Sequence, residues 1–266
     1  MKGIILAGGL GTRLHPLTLS TNKHLLMVHT QRMIHFPLST LLSSGINEIL
    51  IVSNVSDLPE FRLLLGDGSA FGARFTYAEQ RVPNGIAQAL LIGEAFIGED
   101  SVCLILGDNL IDVPEMNTAI RSHARLEGAV IFAKTVKDPE RFGVVELNYA
   151  GKPISLDEKP IKPRSAYAVP GLYLYDATAV RRAKALRPSL RGEYEITDLN
   201  RTYLEDGSLR VVSLPDTTFW MDMGTHESLQ AAADYVRSVQ LSSGRKIGCI
   251  QQAAVDGGLT VKQSSR

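Results

Sequence analysis

Apolar residues in this chain come in short unbroken runs, separated by longer stretches at helical spacing. Residues 3–7 are apolar throughout and run straight into Gly8-Gly9, the pattern of a strand buried on both faces. Residues 34–43 have helical spacing and end near Gly45, and residues 48–52 form the next apolar run. Asp57-Leu-Pro-Glu60 predicts a helix start: Asp57 as cap, Pro59 in the first turn and Glu60 three residues past the cap, with Gly66 as the stop. Strands are expected at 74–78, 102–106 and 129–136, and helices at 86–96 and 116–126. Strands alternating with helices predict an α/β fold with a Rossmann-like, mostly parallel sheet covered on both faces.

The second half reads differently. Short strands at 143–147, 154–156 and 169–175 are separated by Gly, Pro and Asn, which suggests a small antiparallel region. Helices are expected at 177–186 and 196–205, strands at 211–214 and 218–222, and a long helix at 225–239. No repeat or low-complexity linker interrupts the chain. The expectation is one domain over 1–241, followed by a short peripheral segment over 242–266 that frays at Ser264-Ser-Arg266.

Composition narrows the partners. The chain has 266 residues, 44% hydrophobic and 21% charged, with 28 basic and 28 acidic side chains. A balanced charge argues against nucleic acid or an anionic membrane, which call for excess cations, but leaves room for a small phosphorylated ligand. Two cysteines, Cys103 and Cys249, give no disulfide framework and suggest a reducing compartment. With no signal-peptide pattern and no long apolar run, a cytoplasmic location is expected.

Candidate chemistry lies at strand ends, where open α/β sheets bind ligands. Gly8, Gly9 and Gly11 precede Thr12-Arg13, so backbone amides and a guanidinium could cradle an anion, with Lys23 close by. Leu14 stands where a dinucleotide fingerprint needs its third glycine, and no Gly-Lys-Ser/Thr follows, so neither a Rossmann dehydrogenase nor a Walker loop fits. Asp108 and Asp222 each end an apolar run expected to be a strand of one sheet, which makes them a candidate pair for Mg²⁺ bound to phosphates. His24, His29 and His35 share no helical face and are expected to be packing residues. Thr225 is expected to cap the helix that begins at His226, and Trp220 to be a core aromatic beside Asp222.

The run Leu6-Ala-Gly-Gly-Leu-Gly-Thr-Arg-Leu-His-Pro-Leu-Thr18 with Asn22-Lys-His-Leu-Leu26 resembles the signature of the sugar-1-phosphate nucleotidylyltransferases, closest to the short bacterial type of the glucose-1-phosphate thymidylyltransferases. Segments 77–88, 106–109, 138–146, 157–160, 191–198 and 222–226 follow in that family's order. The resemblance implies transfer of a nucleotidyl group from dTTP to glucose 1-phosphate, with release of pyrophosphate. It implies Leu6, Gly8, Gly9, Gly11, Thr12, Gln80, Pro83, Gly85 and Asp108 at the nucleotide and Arg13 and Lys23 on its phosphates. It also implies Gly143, Glu158, Lys159, Val169 and Arg191 at the sugar phosphate, and Asp108 and Asp222 on Mg²⁺. These ligands run from Gly8 to Asp222 and are expected to converge.

Some positions depart from the family pattern. Met27 replaces a usual Pro, Phe142 a usual Tyr, and Leu110-Ile-Asp-Val-Pro114 an aromatic-glycine segment. The chain ends earlier than typical short-form members, whose tail builds subunit contacts and an effector site; a homo-oligomer, tetramer or dimer, is expected. UTP or another nucleotide, or a different sugar or cyclitol phosphate, remains open. A catalytically silent nucleotide-sugar sensor would be expected to lose Arg13, Lys23, Asp108 or Asp222, and all four are present.

Overall fold

The computed structural model describes residues 1–113 and 116–262. In chain order the elements are β1 (Lys2–Leu6), β2 (Met27–Val28), β3 (Gln31–Arg32), α1 (His35–Ser43), β4 (Glu48–Ser53), α2 (Leu58–Leu65), β5 (Arg74–Glu79), α3 (Gln88–Ile92) and α4 (Glu94–Ile97). Then come β6 (Val102–Leu106), β7 (Asn109–Asp112), α5 (Met116–Ser122), β8 (Ala129–Thr135), β9 (Gly143–Leu147), β10 (Pro153–Glu158), β11 (Tyr167–Val169) and β12 (Leu172–Tyr175). Last are α6 (Ala179–Ala185), α7 (Ile196–Glu205), β13 (Leu209–Ser213), β14 (Phe219–Asp222), α8 (His226–Ser243) and α9 (Ile250–Asp256).

The chain divides into two compact units. The first comprises residues 2–81, 105–122 and 219–266. Its strands β1, β4 and β5 are parallel, with Leu6 opposite Val52 and Ser53 opposite Glu79. Ile4, Ile5, Ile49, Ile51 and Val52 are fully buried, as the unbroken apolar runs predict. Beside this sheet β7 and β14 pair antiparallel, with Asp222 opposite Asn109. Leu110 and Met223 join Val28, Met33, Phe36, Ala232 and Val236 in one buried cluster, so α8 seats this strand pair.

The second unit comprises residues 82–104 and 123–218. Its strand order is β10-β9-β11-β8-β12, with neighbours antiparallel, and β13 joins β8 in parallel. Phe132, Tyr175 and Tyr203 are fully buried here, and Tyr175 donates its hydroxyl to Asn200 Oδ1 at 2.7 Å. The fold is thus α/β and mixed, with parallel strands in the first unit and the expected antiparallel region in the second.

Several local expectations change. Asp57 sits at the start of α2 but makes no capping bond; its side chain is held by Asn22 and Asn54. The helix expected over 86–96 is two short helices that meet at Gly93, and the strand expected over 169–175 is broken at Pro170-Gly171. Asp222 ends a strand of the separate β7–β14 pair, not of the sheet that contains β6. The C-terminal stretch contains α9, which buries Ile250, Ala253 and Ala254 and packs on α1. Pro114 and the tail Ser264–Arg266 lie outside the described residues. No helix among the described residues is long and apolar enough to cross a membrane.

Candidate functional site

In the first unit the glycine loop leaves β1 at Leu6, whose carbonyl accepts from the Gly107 amide at 2.9 Å. Gly8 is required by a close approach, since a Cβ there would stand 2.0 Å from Gln80 Oε1. Gln80 is 3% exposed and continues β5, its amide donating to the Ser53 carbonyl. Gly9 and Gly11 have φ of 94° and 60°, and Thr12 and Arg13 follow, exposed, in one 3₁₀ turn.

Lys23 lies in the next 3₁₀ turn and pairs with Asp108 Oδ2. Asp108 follows β6 and is 7% exposed. Burial alone would raise its pKa; the Lys23 charge, with hydrogen bonds from Lys23 and Asn109, brings it well below the usual carboxylate range. Asn109 donates to Asp108 Oδ1 at 3.1 Å and accepts from the Trp220 indole at 2.8 Å. The register of β7 and β14 brings Asp222 alongside, and the Met223 amide donates to the Asp108 carbonyl. Burial, then the Asp108 charge, pushes the Asp222 carboxyl up to about 6. Asp222 Oδ1 is buried without a hydrogen-bond partner. Arg13 comes close, its Nη2 standing 2.6 Å from where a Cβ on Gly224 would lie.

This environment fits a divalent cation. A buried carboxylate oxygen with no donor is costly unless a positive partner meets it. Among the described residues no group of three or more His, Cys, Asp or Glu is arranged for a metal. Mg²⁺ does not need one, because it is usually held by one or two carboxylates together with substrate phosphates and water.

In the second unit, β9, β10 and β11 assemble another group. Glu158 lies opposite Gly143, and Gly143 opposite Val169. Glu158 Oε1 is 3.6 Å from Arg191 Nη2 and 3.9 Å from Lys159 Nζ. Lys159 has a φ of 44°, unusual for a side-chain-bearing residue, and its amide donates to the Phe142 carbonyl. All five residues assigned to the sugar phosphate are therefore brought together. Gly85, by contrast, makes its close approach to protein: a Cβ there would stand 2.5 Å from the Tyr194 carbonyl oxygen, at a φ of 96°. Exposed Pro83 precedes that turn.

Two further residues complete this group. Glu195, 7% exposed, accepts from Arg191 Nη2 on both carboxylate oxygens at 2.9 Å, and Thr197 donates to Glu158 Oε2 at 2.6 Å. Both fall in the segment 191–198, four and six residues after Arg191. Of the three histidines expected to pack, His35 is half-buried with Nδ1 2.8 Å from Gln31 Oε1, whereas His29 is exposed at a φ of 56°. His24 is buried with Nδ1 2.7 Å from Asn22 Oδ1, and burial, then the Lys23 charge, pushes its pKa down to about 3. His226 donates to the His15 carbonyl, and Thr225 caps α8 by accepting from the Ser228 amide.

The sequence matches the profile of the nucleotidyl transferase family over residues 2–238. The chain belongs to that family. Members use a nucleoside triphosphate and a sugar 1-phosphate as substrates and generally use a divalent metal. The chain is 50% identical over 254 residues to a glucose-1-phosphate thymidylyltransferase from Mycolicibacterium smegmatis, covering 96% of this chain and 88% of that protein. It is 51% identical over 255 residues to one from Neisseria meningitidis, at the same coverage. A crystal structure of a Bacillus anthracis protein given the same enzyme name superposes with a TM-score of 0.83 at 43% identity, covering 89% of this chain and 95% of that one.

Proposed function

We propose that the protein is a glucose-1-phosphate thymidylyltransferase, which forms dTDP-glucose and pyrophosphate from dTTP and glucose 1-phosphate. The observation that carries this reading is identity near one half to enzymes of that name over almost the whole chain. Residues 1–241 would form the catalytic domain, in the cytoplasm, as a homo-oligomer.

The reaction is an in-line displacement. A phosphate oxygen of the sugar phosphate attacks the α-phosphorus of dTTP, a new P–O bond forms, and the bond to the β-phosphate breaks to release pyrophosphate. That oxygen is already ionised near neutral pH, so no general base is required, and the protein acts by positioning and charge. The glycine-loop amides and Arg13 hold the triphosphate, while Lys23 neutralises the reacting phosphates. Gln80 presents both a donor and an acceptor, which suits the N3–H and O4 edge of a pyrimidine. Glu158, with the Gly143 and Val169 backbone, takes the sugar hydroxyls, and Lys159 and Arg191 take its phosphate. Asp108 and Asp222 would hold Mg²⁺, which when bound offsets charge on the α-phosphate.

The test is pyrophosphate release from a panel of nucleoside triphosphates and sugar 1-phosphates in Mg²⁺. dTTP with glucose 1-phosphate is expected to have the highest kcat/KM. Preference for UTP or another sugar phosphate would overturn the substrate assignment, and no turnover with any pair would overturn the enzyme.

A further inference from the structure

The first unit contains a polar cluster that the reaction above does not use. Asp57 Oδ2 accepts from two amides at once, Asn22 Nδ2 at 2.6 Å and Asn54 Nδ2 at 2.9 Å. Each Asn Nδ2 has two hydrogens, and in both residues the second is also engaged. Asn22 donates it to the Ala7 carbonyl at 3.3 Å, and Asn54 to the Gly9 carbonyl at 3.2 Å. Both carbonyls belong to the glycine loop. The two amide oxygens complete the pattern. Asn54 Oδ1 faces the Gly9 amide at 3.4 Å, and Asn22 Oδ1 accepts from the His24 amide at 2.9 Å, beside Lys23.

Backbone donors and acceptors set which edge each asparagine turns to the loop, and one carboxylate oxygen links the two asparagines to each other. If Asp57 is removed, both asparagines lose the one charged partner they share, and their nitrogens are left with the longer bonds of 3.2 Å to Gly9 and 3.3 Å to Ala7. The loop is also tied at its ends, where Ala7 donates to the Val52 carbonyl and accepts from Ser53 Oγ at 2.8 Å and Gly11 accepts from Thr18 Oγ1 at 2.8 Å; Gly9 between them, with a φ of 94° and no side chain, relies on Asn54. Asp57 does not act here as a helix cap: it makes no capping bond to α2. Its other oxygen accepts from the Ser56 hydroxyl at 2.9 Å.

We infer that Asp57, acting through Asn22 and Asn54, is a positioning residue that holds the glycine loop and the Lys23 turn in one fixed arrangement for the nucleotide phosphates. The inference rests on the proposed function, which assigns those two segments to dTTP. It concerns residues to which the proposed reaction gives no contact with substrate, so its signature is selective: nucleotide binding weakens and sugar-phosphate binding does not.

The experiment compares full-length wild type, Asp57→Ala, Asp57→Asn and Asn54→Ser by steady-state kinetics and by hydrogen exchange of the unliganded enzyme. In Asp57→Ala the KM for dTTP is expected to rise about tenfold or more, with the KM for glucose 1-phosphate within about twofold of wild type. Asp57→Asn is expected to recover most of the dTTP KM, because its amide oxygen can accept from both asparagines. Exchange in Asp57→Ala is expected to speed up over residues 7–11 and 22–24, while α2 keeps its protection. An unchanged dTTP KM, equal rises in both KM values, or faster exchange confined to α2 would overturn the assignment. Should Asp57→Ala fail to fold, Asn54→Ser carries the same expectation while leaving Asp57 and its bond from Asn22 in place, and an unchanged dTTP KM there overturns it. If wild type turns over no dTTP, the functional reading fails, and the exchange comparison decides the cluster's structural role by itself.

Discussion

In Asp222→Asn the buried carboxylate becomes an uncharged amide of almost the same shape. Burial, with the Asp108 charge second, lifts the Asp222 pKa from 3.8 to about 6. The folded protein therefore binds this proton more tightly than the unfolded chain does, and stability is lost as pH rises from 3.8 towards 6. Above that window, roughly two pKa units correspond to about 3 kcal/mol held against the fold. The Asn variant carries no such charge. In metal-free buffer at about pH 8 it should be more stable than wild type by up to about 3 kcal/mol, and near pH 5 by about half as much. Turnover should move the other way, falling at least about a hundredfold, or about 2.7 kcal/mol in the transition state, if Asp222 holds Mg²⁺. Urea denaturation in EDTA at both pH values, together with pyrophosphate release in Mg²⁺, measures the two effects. A variant no more stable at the higher pH, or one whose gain ignores pH, refutes the electrostatic reasoning; near-wild-type turnover refutes the metal role.

Gln80→Glu removes the amide donor from a 3% exposed side chain, and the dTTP KM should rise at least about tenfold; unchanged affinity and base preference would show that Gln80 does not read the base. His24 is held neutral with a pKa near 3 against 6.5 in the unfolded chain, so its contribution is complete above 6.5 and is lost as pH falls. About 2 kcal/mol should go between roughly pH 7.5 and 5 in wild type and not in His24→Gln; parallel stability curves for the two proteins would rule this out. Gly85→Ala would place a Cβ 2.5 Å from the Tyr194 carbonyl oxygen at a φ of 96°, and should destabilise by about 2 kcal/mol or more. A thermal melt that matches wild type would mean the turn can relax.

Much of this could be read from the chain before its structure. Unbroken apolar runs identified β1, β4 and β6, because a strand buried on both faces has no polar position to confuse the pattern. The candidate site was legible wherever its proposed residues lie in consecutive letters, as in the glycine loop or Asp157-Glu-Lys-Pro160. What escaped depends on pairing through space. Asp57 carries every local mark of a helix cap, yet its partners include Asn22, 35 positions away. Asp222 looked like a residue of the main sheet, because nothing in Phe219-Trp-Met-Asp222 tells which strand it pairs with. The buried face of α9 rests on only Ile250, Ala253 and Ala254, among polar neighbours and glycines, too few for a periodic signal. The break at Gly93 lies inside a run whose spacing continues on both sides, where one glycine weakens a helix without ruling it out.

Trp220 is the only tryptophan in the chain, and its indole N–H donates to Asn109, whose own amide donates to Asp108. The protein's intrinsic fluorophore thus stands two hydrogen bonds from a carboxylate assigned to the metal. Any event that redistributes charge at Asp108 reaches the excited indole through that relay. Metal titrations and stopped-flow nucleotide mixing can therefore be followed by emission from the unlabelled protein, with Asn109→Ala as the control that cuts the relay.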